Sequence, residues 1–562
     1  MLQMNGAELM VRLLERQGIE TVAGVPGGAI LPFYDALAQS DKIHHVLARH
    51  EQGAGFMAQG MARVSGRPEV CLASSGPGAT NLVTAIADAK LDSIPMVAIT
   101  GQVPLGMIGT DAFQEVDTYG MTIPITKHNF LVRSAAELLQ VIPEAFCIAA
   151  SGRPGPVLID VPKDVQVEQV EFDDWPQPGC PQTLPDCDLF RVKRAAELIN
   201  AARRPILYLG GGANQSRSAS LAAQLVEKAS IPTTMTLMGL GTLPTDHPLA
   251  IGMLGMHAAR YTNMVMEECD LLIAAGVRFD DRATGKVAEF CPNAKIIHID
   301  IDSSELNKIK TAHVEVRGDV GEVLQVLLPL VKANPRSDWL AMVADFKEKY
   351  PLWLPGVDDP RSPYGLIVQA AQLLDDEAII VTDVGQHQMR TAQAYPFRRP
   401  RQWLTSGGLG TMGFGLPTAI GASLAYPDKT VVCFSGDGSL LMNIQELATA
   451  VEQNANVKIV LMNNNSLGLV HQQQELFFDR RIYASDYQWR VDFIKIAEGF
   501  GMRGCDLDGS NDPKGMLEDA FRTRGPCLIH ASIDVNEMVY PMVPPGAANK
   551  SMIGGEAHVT NI

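Results

Sequence analysis

An alternation along the chain narrows its fold more than any other feature. Short aliphatic and β-branched runs recur between stretches of helical periodicity, and each run ends in a glycine-rich or polar turn. Thr21-Val-Ala-Gly, Glu69-Val-Cys-Leu-Ala and Pro95-Met-Val-Ala-Ile open the series, the last two separated by a helical segment at 79–89. Pro205-Ile-Leu-Tyr-Leu, Leu271-Leu-Ile-Ala-Ala and Lys295-Ile-Ile-His-Ile follow, with a helix near 217–229. Ala378-Ile-Ile-Val-Thr, Thr430-Val-Val-Cys-Phe and Val457-Lys-Ile-Val-Leu-Met close it. Runs without polar alternation suit strands buried on both faces, so parallel sheets covered by helices are expected. At the start, Asn5 is placed to cap a helix with an apolar stripe of Leu9, Met10, Leu13 and Leu14, ending at Gly18.

A length of 562 residues allows three or four domains of roughly 150 residues each. Two proline-rich breaks, near 166–190 (with Leu184-Pro-Asp) and 333–362, reduce this to three. The second break holds a helical-looking segment near 338–349. The expected class is α/β, with three doubly wound parallel-sheet domains at 1–165, 190–332 and 362–545 and an extended tail or lid at 546–562. The net charge of −17 and the lack of a Lys/Arg cluster speak against nucleic-acid binding. No apolar run approaches a membrane span of ~20 residues, and the start lacks a signal peptide's basic and apolar regions. Nine scattered cysteines without a C-x-x-C suggest neither zinc nor a disulfide framework and fit a reducing cytoplasm. An anionic ligand would have to be held locally, by backbone N–H groups, a metal or single basic residues.

The most informative segment runs from Gly436-Asp-Gly-Ser to Asn463-Asn464. Asp437 ends one strand and Asn464 ends the next, with a helix expected at about 443–454 between them. A right-handed βαβ unit puts both strand ends on one sheet edge, where ligands of open α/β sheets bind. A carboxylate and an amide oxygen are hard ligands suited to Mg²⁺, which commonly shares its shell with phosphate oxygens. The glycines admit a diphosphate, and the following helix N-terminus favours its charge.

This spacing resembles the motif of the thiamine diphosphate enzymes. Thr382-Asp-Val-Gly-Gln-His-Gln is similar to the family's diphosphate-contacting loop. Gly407-Gly-Leu-Gly-Thr-Met-Gly is similar to the loop over which the cofactor folds, here with Met412. The resemblance implies a cofactor site of Glu51, Gln386, His387, Gly410, Met412, Gly436, Asp437, Gly438, Ser439, Asn464, Ser466 and Gly468, with Mg²⁺ on Asp437 and Asn464. Thiamine chemistry needs a carboxyl group sharing a proton with the aminopyrimidine ring. Glu51, in the dry Gly/Ala-rich segment Arg49-His-Glu-Gln-Gly-Ala, is the residue expected to do this. Because the two motifs lie in different blocks, the resemblance implies a homodimer with active sites at the subunit interface.

Over essentially the whole chain, further segments resemble the acetohydroxyacid synthase family in its large, catalytic subunits. They are Gly24-Val-Pro-Gly-Gly-Ala-Ile-Leu-Pro, Ser75-Gly-Pro-Gly-Ala-Thr-Asn, Gly109-Thr-Asp-Ala-Phe-Gln-Glu, Thr126-Lys-His, Ser151-Gly-Arg-Pro-Gly-Pro-Val, Gly276-Val-Arg-Phe-Asp-Asp-Arg and His298-Ile-Asp-Ile-Asp. The resemblance implies joining of two pyruvates to 2-acetolactate with loss of CO₂, and of pyruvate and 2-ketobutyrate to 2-aceto-2-hydroxybutyrate, in branched-chain amino acid biosynthesis. It implies a small regulatory subunit as partner. It also implies FAD without a net redox role, framed by Arg153, Gly211, Gly212, His257, Gly276, Arg278, Asp280, Arg282, Asp300 and Asp319. Gln114 and Lys127 resemble residues of the substrate region and join Glu51 as catalytic candidates. Gly28, Ala29, Phe113, Met412 and Gln473 are expected at the substrate pocket. The alternative of the same architecture, a flavin-dependent pyruvate oxidase or decarboxylase, fits the Asp280-Asp-Arg segment less well. Gln473 departs from the tryptophan of many relatives, which favours 2-ketobutyrate as second substrate; Gln473 is expected to weaken that preference. Val25 stands where a tyrosine is often found.

Overall fold

The computed structural model describes residues 1–183 and 186–555. Leu184 and Pro185 of the first expected linker, and 556–562 of the expected tail, lie outside the described residues. Strand β1 (Leu2–Asn5) runs into a helix, Gly6–Arg16, started by a capping box in which Asn5 and Glu8 satisfy each other's backbone N–H. Then come β2 (Thr21–Gly24), β3 (His44–Leu47), β4 (Glu69–Ala73), β5 (Met96–Gln102), β6 (His128–Leu131) and β7 (Pro156–Pro162). They form one parallel sheet in the order β3-β2-β4-β5-β7-β6. Every residue of β4, β5 and β7 is buried, as expected of strands covered on both faces.

The first break is not a bare linker. It contains β8 (Gln169–Phe172), which pairs antiparallel with β1. The middle sheet holds β9 (Pro205–Leu209), β10 (Thr233–Met235), β11 (Ala250–Met253), β12 (Leu271–Ala275), β13 (Lys295–Asp300) and β14 (Val314–Arg317), ordered β11-β10-β9-β12-β13-β14. That is the doubly wound order with its switch point between the first and fourth strands. The segment expected to be helical in the second break forms helix Ser337–Lys349 and belongs to this unit. Its Trp339 is 2% exposed and donates from Nε1 to the Pro205 carbonyl at 3.0 Å.

The third sheet holds β15 (Ile379–Thr382), β16 (Trp403–Leu404), β17 (Val431–Gly436), β18 (Val457–Asn463), β19 (Arg503–Asp506) and β20 (Cys527–Ser532), ordered β16-β15-β17-β18-β20-β19. Within each unit this order repeats that of the first sheet, so both outer units have their switch point between their first and third strands. They meet through helices Glu51–Ser65 and Gly415–Ala425. A Cβ on Gly60 would lie 2.2 Å from the Thr418 carbonyl oxygen, and one on Gly421 would lie 2.0 Å from that of Met57. Glycine is required there because the two backbones touch.

The helix expected at 79–89 is split into Pro77–Asn81 and Val83–Asp92, while the one expected at 443–454 is shortened to Glu446–Glu452 and preceded by a separate turn, Asp437–Leu441. Asn81, at the end of the first piece, donates to Glu51, and Asn443, just before the shortened helix, donates to the Gly413 carbonyl. The described part of the expected tail is not free. Just before it Val543 N–H bonds to the Met256 carbonyl, and within it Ala548 bridges Gly285 and Asn549 donates to the Ala283 carbonyl. Among the described residues no helix is long and apolar enough to cross a membrane.

Candidate functional site

At the carboxyl edge of the third sheet, the turns after β15, β17 and β18 surround a cleft of about 200 Å³. Its lining includes Gln386, His387, Gly410, Met412, Gly436, Asp437, Gly438, Ser439, Asn464, Ser466 and Gly468. These are all the residues expected there except Glu51. Asp437 is 2% exposed and begins a helical turn as soon as β17 ends. The backbones of Asn464 and Ser466 bond to its carboxylate, so the ends of β17 and β18 converge. Burial outweighs those bonds and raises the Asp437 carboxyl to about 6. A cation beside it would reverse that cost.

The walls are shaped to receive a polar guest. His387 is fully buried with its Nε2 lacking a partner, and burial lowers its pKa to about 3, so the ring is neutral. Gly410 has nothing within 4 Å of where a Cβ would stand, so its face is open. A Cβ on Gly468 would strike Asn464 and Gln386, and one on Gly438 would strike Leu467 and Tyr487. Helix Gln386–Ala394 starts at the cleft and aims its N-terminal N–H groups toward it. Hard oxygen ligands, an orphaned buried nitrogen and a glycine-lined floor fit a metal-bound diphosphate.

Hydrogen bonds support this cleft from residues not singled out by their motifs, Gln472, Asp88 and Asp92, as well as from the expected Ser439. Gln472 is buried; its Oε1 accepts from Gln386 Nε2 at 3.1 Å and from Val539 N–H at 2.9 Å. Ser439 Oγ donates to the Val384 carbonyl at 2.8 Å. Asp88 and Asp92 of the first unit, both paired with buried Arg63, hold the loop that carries Met412: Thr411 Oγ1 donates to Asp88 at 2.8 Å, and Gly408 N–H to Asp92 at 2.7 Å. Burial and the neighbouring Asp92 raise the Asp88 carboxyl to about 6. Gln473 does not line the cleft. It is exposed, one turn beyond the lining residues Leu469 and Val470 on the same helix.

Glu51 begins helix Glu51–Ser65 at the carboxyl edge of the first sheet, apart from the cleft of its own chain. Asn81 Nδ2 donates to its Oε2 at 2.9 Å. Gly78 leaves space for its other oxygen, and the nearby Ser74 and Ser75 hydroxyls are buried without partners. Gly28 and Ala29 lie in the turn after β2 on the same edge. The 109–115 loop folds around its own Glu115, whose carboxylate accepts the N–H groups of Gly109, Thr110 and Ala112 and is held below its usual pKa by them. This presents Phe113 at 87% exposure, and Gln114 takes a left-handed φ of 60° against Gly76. Lys127 does not line the cleft of its own chain. Its ammonium donates to the carbonyls of Ile148 and Ser151 at the end of helix Leu138–Ala150, and burial lowers its pKa to about 8.

The flavin candidates gather at the carboxyl edge of the middle sheet. Gly211 and Gly212 follow β9 and pack on Gly276 after β12, where Gly212 N–H bonds to the Gly276 carbonyl at 3.1 Å. Asp300 ends β13, and burial raises its carboxyl to about 6. Asp280 and Asp319 each cap a helix. Arg278 is half-buried, and Arg282 is exposed beside Asp281. His257 is buried, bonded through Nδ1 to the Pro541 carbonyl, and lowered to about 4 by burial. Arg153, from the first unit, pairs with Asp302 and Glu305. The Tyr208 hydroxyl and His298 Nδ1 are buried without partners in this unit.

Comparison with known proteins agrees with this geometry. Models for the N-terminal TPP binding domain, the central domain and the C-terminal TPP binding domain of thiamine pyrophosphate enzymes match residues 4–121, 192–327 and 383–531. The chain is 61% identical to the acetolactate synthase isozyme 1 large subunit of Escherichia coli, covering 98% of this chain and 97% of that one. It is 46% identical to the isozyme 2 large subunit, covering 98% and 99%. A chloroplastic acetolactate synthase 2 of Nicotiana tabacum is 46% identical, covering 98% and 85%.

Proposed function

The chain belongs to the acetolactate synthase large subunits, within the thiamine pyrophosphate enzyme family, and from that membership we propose how its residues serve the reaction. Two pyruvates are joined to 2-acetolactate with loss of CO₂, and 2-ketobutyrate serves as an alternative second substrate. Bound thiamine diphosphate supplies the electron sink for the decarboxylation and for transfer of the two-carbon unit. Asp437 and Asn464 offer hard oxygen ligands to Mg²⁺, and the Gly436–Gly438 turn with the helix at Gln386 takes the diphosphate charge. Met412 supports the fold of the cofactor. Glu51, steadied by Asn81, holds and returns a proton at the aminopyrimidine edge. Phe113 and Gln114, on the loop ordered by Glu115, flank the substrate.

The observation that carries this reading is the convergence of Asp437 and Asn464 in a glycine-lined cleft beside an unpartnered His387. The test is product analysis from pyruvate with Mg²⁺, thiamine diphosphate and FAD. Acetolactate with CO₂ is expected; acetate or acetaldehyde as the main product overturns the reading.

Glu51 does not line the cleft of its own chain, which supports a homodimer in which each site takes Glu51 from the other subunit. Mixing Glu51→Gln and Asp437→Ala chains, each inactive alone, then restores activity because one site of each mixed dimer is intact. No recovery on mixing, with exchange of subunits verified, overturns it. FAD fits the glycine-lined switch point of the middle sheet near the orphaned Tyr208 and His298 atoms, in a role without net electron transfer. The relatives' designation as large subunits supports a small regulatory partner. The reading places the enzyme in the cytoplasm.

A further inference from the structure

Glu446 lies on helix Glu446–Glu452, which follows the Asp437 turn between β17 and β18, yet its carboxylate faces the first unit. It is 0% exposed. Its Oε1 accepts the backbone N–H groups of Arg49 and His50, both at 3.0 Å, and its Oε2 accepts the Thr449 hydroxyl at 2.6 Å. Gly53 makes room for it: a Cβ there would stand 2.5 Å from Oε1. Glu51 is the next residue, on the first turn of the helix that His50 caps by accepting the Gln52 N–H. Two further contacts join the same segments, an Arg49–Glu452 ion pair and a His44–Gln453 hydrogen bond at 2.7 Å.

From this geometry we infer that Glu446 is a positioning residue for Glu51, fixing the start of its helix from the third unit of the same chain. The inference rests on the proposed role of Glu51. Oε1 holds the two N–H groups just before Glu51, so the height and tilt of the first helical turn follow the carboxylate. A buried carboxylate with three donors also suits the positive end of that helix. Asn81 then steadies the Glu51 side chain while Glu446 fixes the backbone beneath it. The consequence is specific. Loss of Glu446 displaces the proton-handling group while leaving the diphosphate and Mg²⁺ ligands in place, since none of these ligands contacts it.

The test uses the full-length enzyme and two readouts. One is affinity for thiamine diphosphate with Mg²⁺, by calorimetric titration. The other is the rate at which the C2 hydrogen of the bound cofactor exchanges with deuterium oxide, by quenched NMR. For Glu446→Ala, exchange is expected to slow by about tenfold or more, a fraction of a full acid–base contribution, with affinity within about threefold of the parent. Glu446→Gln keeps an acceptor oxygen for the two N–H groups and is expected to exchange near the parental rate. Glu446→Asp, one methylene shorter, keeps the charge and is expected to exchange slowly, providing a second variant if alanine impairs folding. Parental exchange in both the alanine and aspartate variants overturns the inference, as does a loss of exchange matched by an equal loss of affinity. Glu51→Gln separates the two readings. If it abolishes exchange while the Glu446 variants do not slow it, only the positioning role fails. If it leaves exchange intact, the role of Glu51 fails and this inference with it.

Discussion

Asp383 holds Gly413. The Gly413 N–H donates to Asp383 Oδ1 and the Gly415 N–H to Oδ2, both at 2.9 Å, which clamps the loop carrying Met412 to the turn after β15. Asp383 is 1% exposed, and burial raises its carboxyl to about 6 against the pull of these backbone donors. In Asp383→Asn the amide nitrogen cannot accept, so one buried N–H loses its partner. A loss of roughly 1–3 kcal/mol is expected, read as a lower unfolding midpoint together with weaker thiamine diphosphate binding. An unchanged midpoint and unchanged binding would count against the clamp.

Asp437→Asn separates stability from metal binding. The buried Asp437 carboxyl is raised to about 6, so its charge is a burden on the metal-free fold at pH 8. The variant is expected to melt no lower than the parent without ligands, and higher if that burden dominates. The parent is expected to gain stability when Mg²⁺ and thiamine diphosphate are added, about 2.7 kcal/mol at a hundredfold excess over Kd. The variant is expected to lose most of that gain. Calorimetric scans with and without the ligands check both halves, and full retention of the gain would remove Asp437 from the metal site.

What the sequence made legible follows from range. Strands such as β9 and β12 stood out because every residue in them is apolar, and the Asp437 and Asn464 turns stood out because glycines and ligands sit side by side in the chain. Glu446, Asp88 and Asp92 did not stand out. Their partners lie hundreds of positions away, and an acidic residue on a helix reads as a solvated face. The break after Asn81 and the late start of helix Glu446–Glu452 were missed as well, because Asn81 and Asn443 answer to acceptors 30 residues away and not to their local pattern. Lys127 was read by resemblance as a substrate residue, while its ammonium here covers the end of a helix. The order shared by the two outer sheets was also hidden, because strand order is set by crossovers and not by composition.

Gln473 is exposed on the helix that carries the lining residues Leu469 and Val470, one turn beyond them. Gln473→Trp puts a larger apolar side chain there and is expected to add a wall for the extra methyl group of 2-ketobutyrate. One buried methylene discriminates by about 1–3 kcal/mol, so a shift of about tenfold toward acetohydroxybutyrate is expected when both keto acids compete. The product ratio at equal substrate concentrations measures it, and an unchanged ratio means that residue 473 does not reach the substrate.

Asp160, inside the first unit, gives the stability of the enzyme a pH dependence separate from the metal site. It is 1% exposed and accepts from Thr100 Oγ1 at 2.7 Å and Gln102 Nε2 at 3.0 Å, and burial raises its carboxyl from 3.8 to about 7. The folded state therefore holds a proton that the unfolded chain has already released at neutral pH. The stability tied to this group is complete below 3.8 and is lost as pH rises through about 7. In Asp160→Asn the amide stays neutral, its oxygen accepts from Gln102, and its nitrogen can donate to the Thr100 hydroxyl. The variant is expected to match the parent only below about pH 4, and its advantage is expected to grow as pH rises from 5 through about 7, reaching on the order of a few kcal/mol by pH 8. Because Gln102 Nε2 also donates to the Val116 carbonyl at 2.9 Å, the change is expected to reach the loop bearing Phe113 and Gln114. Unfolding midpoints of both proteins from pH 5 to 8 provide the check, and parallel curves would show that Asp160 does not titrate in this range.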